Sequence, residues 1–302
     1  MVKAKKVFSD RSKKGGRGRA QKSLNLIKAM YDIAEACEPI TGRGIGYKLF
    51  SQGLIPSMSK NAMQSVYRFL REAREEGTIP WEWIVDETRG IEQVATWDDP
   101  DDYMRAVGRS YRRDFWQQQP KRIQVWSEKG TVRGVLKPVL DEYGVGFNPV
   151  HGFNSATNMN DAARNTDSDY PLIILYIGDY DPSGMNMSEH DLPKRLKEYG
   201  GNHITVKRIA LLRKDCEALG REPAFNVREK SKDTRAPWFR KNYGQLCWEL
   251  DAMDPNKLRE RVEREIKKHI EPVAWARCQT VFAAETDSMS VFFRTYKGPK
   301  AY

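Results

Sequence analysis

Apolar residues recur every three or four positions in the first third of the chain, then gather into short unbroken runs through its middle. Leu24, Ile27, Met30, Tyr31 and Ile33 set a helical spacing over 23–36, which Pro39-Ile40-Thr41-Gly42 interrupts. A short second helix is predicted over 44–50, ending near Gly53. The turn Pro56-Ser57-Met58-Ser59 offers a cap for a third helix over 60–76. Met63, Val66, Leu70 and Ala73 share one face of it, and Gly77 terminates it. The stretch 78–85 is read as strand. Residues 97–119, charged and rich in aromatics, are read as a linking helix.

The pattern then changes. Ile123-Gln124-Val125-Trp126-Ser127 is a short apolar strand, and Val132, Val135, Leu136, Val139 and Leu140 that follow it are helical in spacing. Pro138 inside that spacing is expected to kink or shorten the helix. Ile173-Ile174-Leu175-Tyr176-Ile177 is a second buried-type strand. Helix is expected over 183–199, strand over 203–211, and a basic, loop-rich insertion facing DNA over 221–243. Asp254-Pro255-Asn256 opens an amphipathic helix through Leu258, Val262, Ile266 and Ile270. The order strand, helix, strand with short connections predicts an α/β domain with a mainly parallel sheet. Three helices and a β segment ahead of it predict a winged helix-turn-helix. The expected division is a basic arm at 1–22, a winged-helix domain at 23–95, a linker helix at 96–120 and the sheet domain at 121–302. No internal repeat is present.

Both predicted strands end in acids. Glu128 follows the first, and Asp179 and Asp181 follow the second in Gly178-Asp179-Tyr180-Asp181-Pro182-Ser183-Gly184. Residues i and i+2 of an extended segment point to one side, and ligands of open α/β sheets gather at the carboxyl ends of the strands. Three carboxylates meeting there call for a hard cation such as magnesium. The competing reading of the second turn is an aspartate that caps the next helix.

Charge and composition narrow the partner. The 302 residues carry a formal net charge of +10, which favours an anionic partner, nucleic acid ahead of membrane. The Lys-, Arg- and Gly-rich start is read as a disordered basic arm, unlike a secretory signal or membrane anchor. No apolar stretch is long enough to cross a bilayer. Cys37, Cys216, Cys247 and Cys278 are scattered, which disfavours zinc and fits a reducing cytoplasm. His151, His190, His203 and His269 form no cluster, and no Walker-type phosphate loop is present.

Glu128 after one strand and Asp179-Tyr180-Asp181-Pro182-Ser183-Gly184 after another resemble the acidic signature of a TOPRIM domain, a Rossmann-like fold of topoisomerases, primases and some nucleases. Thr41-Gly42-Arg43-Gly44-Ile45-Gly46-Tyr47 resembles the motif around the active tyrosine in the A subunit of topoisomerase VI and its relatives, the meiotic double-strand-break proteins. The family places an Arg four residues before the reactive Tyr, in a winged helix that precedes the TOPRIM domain. The order here is the same from about residue 23 onward, although Gly46 stands where the family usually has an aromatic residue. Ile45 and Leu49 are expected to face the module's core together. Tyr47, two residues from each, lies about 200° around the helix, so its hydroxyl is expected to point outward, on the same face as Arg43.

The resemblance implies Tyr47 as nucleophile, Arg43 on the scissile phosphate, and Mg2+ held by Glu128, Asp179 and Asp181, with a 5′-phosphotyrosyl intermediate. A tyrosine of pKa about 10 needs such help to attack at neutral pH. It also implies a homodimer that shares each site, a separate ATPase subunit for strand passage, and a stand-alone, nucleoid-associated protein of bacterial or phage origin. Lys60, Arg68, Arg71, Arg74 and Lys129 are the expected double-stranded DNA contacts, with solvated surface charge as the competing reading. Tyr67 on the third helix is the fallback nucleophile. Two other functions stay open: a nuclease using metal-activated water with Tyr47 a bystander, and a DNA-binding protein without catalysis.

Overall fold

The computed structural model describes residues 21–85, 94–150, 154–230 and 232–295. The amino-terminal part contains α1 (Gln21–Cys37), β1 (Ile40–Thr41), α2 (Gly42–Ser51), α3 (Lys60–Glu75) and β2 (Ile84–Val85). After α4 (Pro100–Ser110) come β3 (Arg122–Ser127), α5 (Val132–Tyr143), β4 (Gly146–Pro149), α6 (Asn154–Arg164) and β5 (Leu172–Ile177). The chain continues through α7 (Pro182–Asn186), α8 (Leu192–Glu198), β6 (Ile204–Ala210), α9 (Arg213–Leu219) and β7 (Phe225–Asn226). It ends with α10 (Ala236–Tyr243), β8 (Leu246–Cys247), α11 (Pro255–Lys267) and α12 (Pro272–Thr295).

The main sheet has the order β4-β3-β5-β6, and every neighbouring pair in it is parallel. β5 is apolar at every position because both of its faces are covered. Leu175 and Ile177 join Ile123, Val125 and the α5 and α11 residues Leu136, Val139 and Val262 on one face. Leu172, Ile174 and Tyr176 join Trp126, Met159 of α6 and Leu192 and Leu196 of α8 on the other. The α/β expectation therefore holds. α5 continues past Pro138 to Tyr143, so the proline does not shorten it. The proline removes one backbone donor, but burial of Val135, Leu136, Val139 and Leu140 holds the helix on either side of it.

The amino-terminal helices enclose their own core of Ile27, Met30, Ile33, Ile45, Leu49, Met63, Val66 and Leu70. Thr41 caps α2, its Oγ1 accepting from Gly44 N–H at 2.8 Å, so that helix starts two residues earlier than the spacing predicts. Of the predicted strand at 78–85, only Ile84–Val85 is extended; Trp81–Trp83, behind Pro80, is a 3-10 turn. β2 pairs with β1 in parallel, not as one arm of an antiparallel hairpin. Residues 86–93, where a wing would continue, lie outside the described residues, as does most of the predicted basic arm. The linking segment is shorter than predicted: α4 and a 3-10 turn at Phe115–Gln118, both packed against α12. Among the described residues no helix is long and apolar enough to cross a membrane.

Candidate functional site at the strand edge and module seam

The backbone beyond β5 is locked before any acid is placed. Half-buried Arg208 on β6 donates to the carbonyls of Gly178 at 2.8 Å, Asp179 at 2.5 Å, Gly184 at 2.8 Å and Leu211 at 2.9 Å. Its guanidinium thus ties the acidic turn to the neighbouring strand. Gly184 is required by space, since a Cβ there would lie 2.3 Å from the carbonyl oxygen of Asp179. Asp181 caps α7, its Oδ1 accepting from Gly184 N–H at 2.7 Å. The capping reading of this aspartate is therefore correct as far as one oxygen is concerned.

The other oxygen of Asp181 pairs with Lys230 Nζ. Asp179 Oδ1 accepts from Leu250 N–H at 2.8 Å and pairs with Lys129 Nζ at 2.9 Å. Lys129 also reaches Asp251 at 2.8 Å and Glu249 at 3.9 Å. Burial works against its charge, but Asp179, Asp251 and Glu249 outweigh burial and hold the ammonium protonated well above the usual lysine range. Glu128 is the least satisfied of the three acids. Among the described residues it takes only long contacts from Ser183 Oγ, at 3.4 and 3.5 Å. Burial first, then the charges of Asp181 and Asp179, push its carboxyl above the ordinary glutamate range.

Glu128, Asp179 and Asp181 therefore share one edge and feel one another, as the strand ends predict, but their neutralising partners are lysines. Among the described residues, no group of three or more His, Cys, Asp or Glu side chains stands gathered around a metal position. The donor chemistry still suits magnesium. All three groups are hard carboxylate oxygens, one of them short of partners, and one oxygen of Asp181 is held by a mobile-length ammonium.

Tyr47 does not point into solvent. It is only 5% exposed. Ile45 and Leu49 face the module core as the spacing requires; the opposite face of α2 is covered by the segment before α11. Arg43 makes a bidentate pair with Glu249, one arm at 2.6 Å, and its guanidinium carbon lies 5.8 Å from the Tyr47 ring. Thr41 Oγ1 donates to Asp251 at 2.6 Å, Lys48 pairs with Asp254, and Arg259 donates to the carbonyls of Cys37, Glu38 and Pro39, each at 3.1 Å. Burial, then the Glu249 charge, pushes the Tyr47 phenol far above its usual value, against the pull of Arg43 and Lys129. Gly46 has a local cause: a Cβ there would lie 2.5 Å from Met63 of α3. An aromatic side chain would force α2 and α3 apart.

A cleft of about 520 Å3 opens beside this seam, lined by Arg43, Tyr67, Arg71, Arg74, Lys129 and Asp251 among others. Tyr67 is 43% exposed. Arg71 is loosely paired with Glu75 at 3.7 Å, and Arg74 stacks 4.3 Å over Trp81. Of the other expected DNA contacts, Lys60 begins α3 and is exposed, and Arg68 lies over Phe69 at 4.6 Å, outside the cleft lining. Reasoning from spacing missed Lys230, Arg208, Glu249 and Asp251. Only Lys230 left a signal, as part of the basic insertion; the others need the folded sheet to reach the site. Comparison of the chain with family models, with curated proteins and with solved structures gives no match.

Proposed function

We propose that the chain binds duplex DNA along α3 and the cleft and cuts it at the acidic strand edge, in the manner of the topoisomerase VI A subunit. The observation that carries this reading is that Glu128, Asp179 and Asp181 stand at the ends of adjacent parallel strands and act on one another's charge, with Arg43 and Tyr47 across one seam from them. Magnesium bound by the three acids would supply charge neutralisation at the phosphate. Arg43, once released from Glu249, holds the phosphate, and Tyr47 supplies the attacking oxygen: its bond to phosphorus forms as the bond from phosphorus to the 3′ oxygen breaks, and the phenol's proton passes by way of solvent to that leaving oxygen. Arg71 and Arg74 grip the backbone without reading sequence. A winged-helix role for the amino-terminal module, a homodimer and a separate ATPase partner belong to the same proposal.

Tyr47 is shielded while the seam is closed, so this reading requires the seam to open on DNA. The same burial favours a second reading, in which water is the nucleophile and Tyr47 is structural. Both readings require the acids. Incubation of labelled duplex with the protein and magnesium is expected to give cutting that Glu128→Gln and Asp179→Asn abolish while duplex binding persists. Retention of full cutting by both variants would overturn the proposal.

A further inference from the structure

Two lysines neutralise the acidic edge, and they are held very differently. Lys129 follows Glu128 directly, sits among Asp179, Glu249 and Asp251, and is a fixed part of the seam. Lys230 comes from outside the sheet, at the end of a four-residue 3-10 turn, Val227–Lys230, that follows the short strand β7. Among the described residues its ammonium has one carboxylate partner, Asp181, and lies 5.5 Å over the Phe225 ring. The Lys230 side chain is 36% exposed, whereas that of Asp181 is 3% exposed. A long, flexible cation thus reaches in from solvent to an anion that cannot turn away, because Asp181 Oδ1 is fixed to Gly184 N–H at 2.7 Å.

We infer that Lys230 is a resident counter-ion that a divalent cation displaces from Asp181. The inference rests on the metal-assisted reading above. An ammonium satisfies one oxygen of one carboxylate; a divalent ion can answer Asp181 and the under-partnered Glu128 together. Loss of the Lys230 pair leaves Asp181 its helix-capping bond, so the turn stays in place when the lysine leaves. Arg235, whose charge also acts on Glu128 and Asp181, is tied to Asp233 at 2.8 and 3.0 Å and remains behind. Lys129 cannot leave without uncovering three acids. Lys230 is therefore a positioning residue: its occupancy of Asp181 lowers the apparent metal affinity by the fraction of molecules with the pair closed.

The test uses Mn2+ alone on the full chain, with bound metal read by electron paramagnetic resonance and no DNA present. Lys230→Met is expected to bind Mn2+ about tenfold more tightly than wild type, and Lys230→Arg to bind it as wild type does. In the wild-type protein, which needs no variant to fold, Mn2+ is expected to increase acetylation of the Lys230 amine, read by mass spectrometry, and to leave Lys129 unchanged. Equal Mn2+ affinity in wild type and Lys230→Met, or unchanged Lys230 labelling, would overturn the inference alone. Absence of Mn2+ binding by every form would remove the metal-assisted reading and the inference with it.

Discussion

Arg43 and Glu249 form a bidentate ion pair across the boundary between the helical module and the sheet, and the ring of Tyr47 lies beneath the guanidinium. The pair does two things at once. It fastens the module and keeps the expected phosphate-binding group occupied. Glu249→Gln is expected to lower the unfolding free energy by about 1.5–3 kcal/mol, the range for hydrogen bonds to charged groups, and to tighten duplex binding by releasing Arg43. Urea unfolding and fluorescence anisotropy read the two effects. A variant that loses stability with no gain in DNA affinity would show that Arg43 does not meet phosphate.

Much of this arrangement was legible before folding, and the illegible part has a physical reason. The runs at 123–127 and 173–177 specify buried parallel strands, and their ends put Glu128, Asp179 and Asp181 on one edge of the sheet. Helical spacing in α2 identifies Ile45 and Leu49 as core. It says nothing of what covers the opposite face, so the exposed Tyr47 that it predicts is buried by Glu249 and its neighbours, over 200 residues away in sequence. Arg208 is invisible for the same reason: it acts on the acidic turn through a strand order that local periodicity does not encode, whereas Lys230 shows only as one charge of the basic insertion.

The two glycines near the site differ in what surrounds them, and their alanine variants should separate. At Gly184 a Cβ meets fixed backbone, the Asp179 carbonyl, at 2.3 Å; at Gly46 it meets the flexible end of Met63 at 2.5 Å. Gly184→Ala is expected to cost about 3 kcal/mol and Gly46→Ala about 1 kcal/mol, the two ends of the range for overpacking. Equal midpoints in denaturant for both variants would contradict this account of the acidic turn.

Acid should loosen the sheet domain once pH falls below about 4.5. Burial pushes the Glu265 carboxyl up, but hydrogen bonds from Lys207 and Lys268 outweigh it and bring it down to about 2. At Asp215 burial is likewise outweighed, by the paired hydrogen bonds from Arg261, and the carboxyl titrates below its ordinary value. Both groups hold protons less tightly folded than unfolded. They therefore contribute stability above an unfolded carboxylate pKa of about 4, and that contribution is lost as pH falls from about 4.5 toward 2. Glu265→Gln is expected to flatten the fall in melting temperature across this window. An unchanged slope would assign acid sensitivity elsewhere.

Arg71 and Arg74 line the cleft, so as the proposed phosphate contacts their loss should weaken all duplexes alike. Each alanine variant is expected to reduce the slope of log K against log salt by about 1. Arg68→Ala, outside the cleft, should leave the slope unchanged, and equal effects from all three would argue for diffuse surface charge.

Denaturing electrophoresis of 5′-labelled and 3′-labelled duplex after incubation with protein and magnesium tests the cleavage mechanism most directly. The account predicts a protein–DNA adduct on the 5′ end of the cut strand, present in wild type and absent from both Tyr47→Phe and Glu128→Gln. Cut strands with free ends, formed equally well by Tyr47→Phe, would contradict it and leave a water-dependent nuclease.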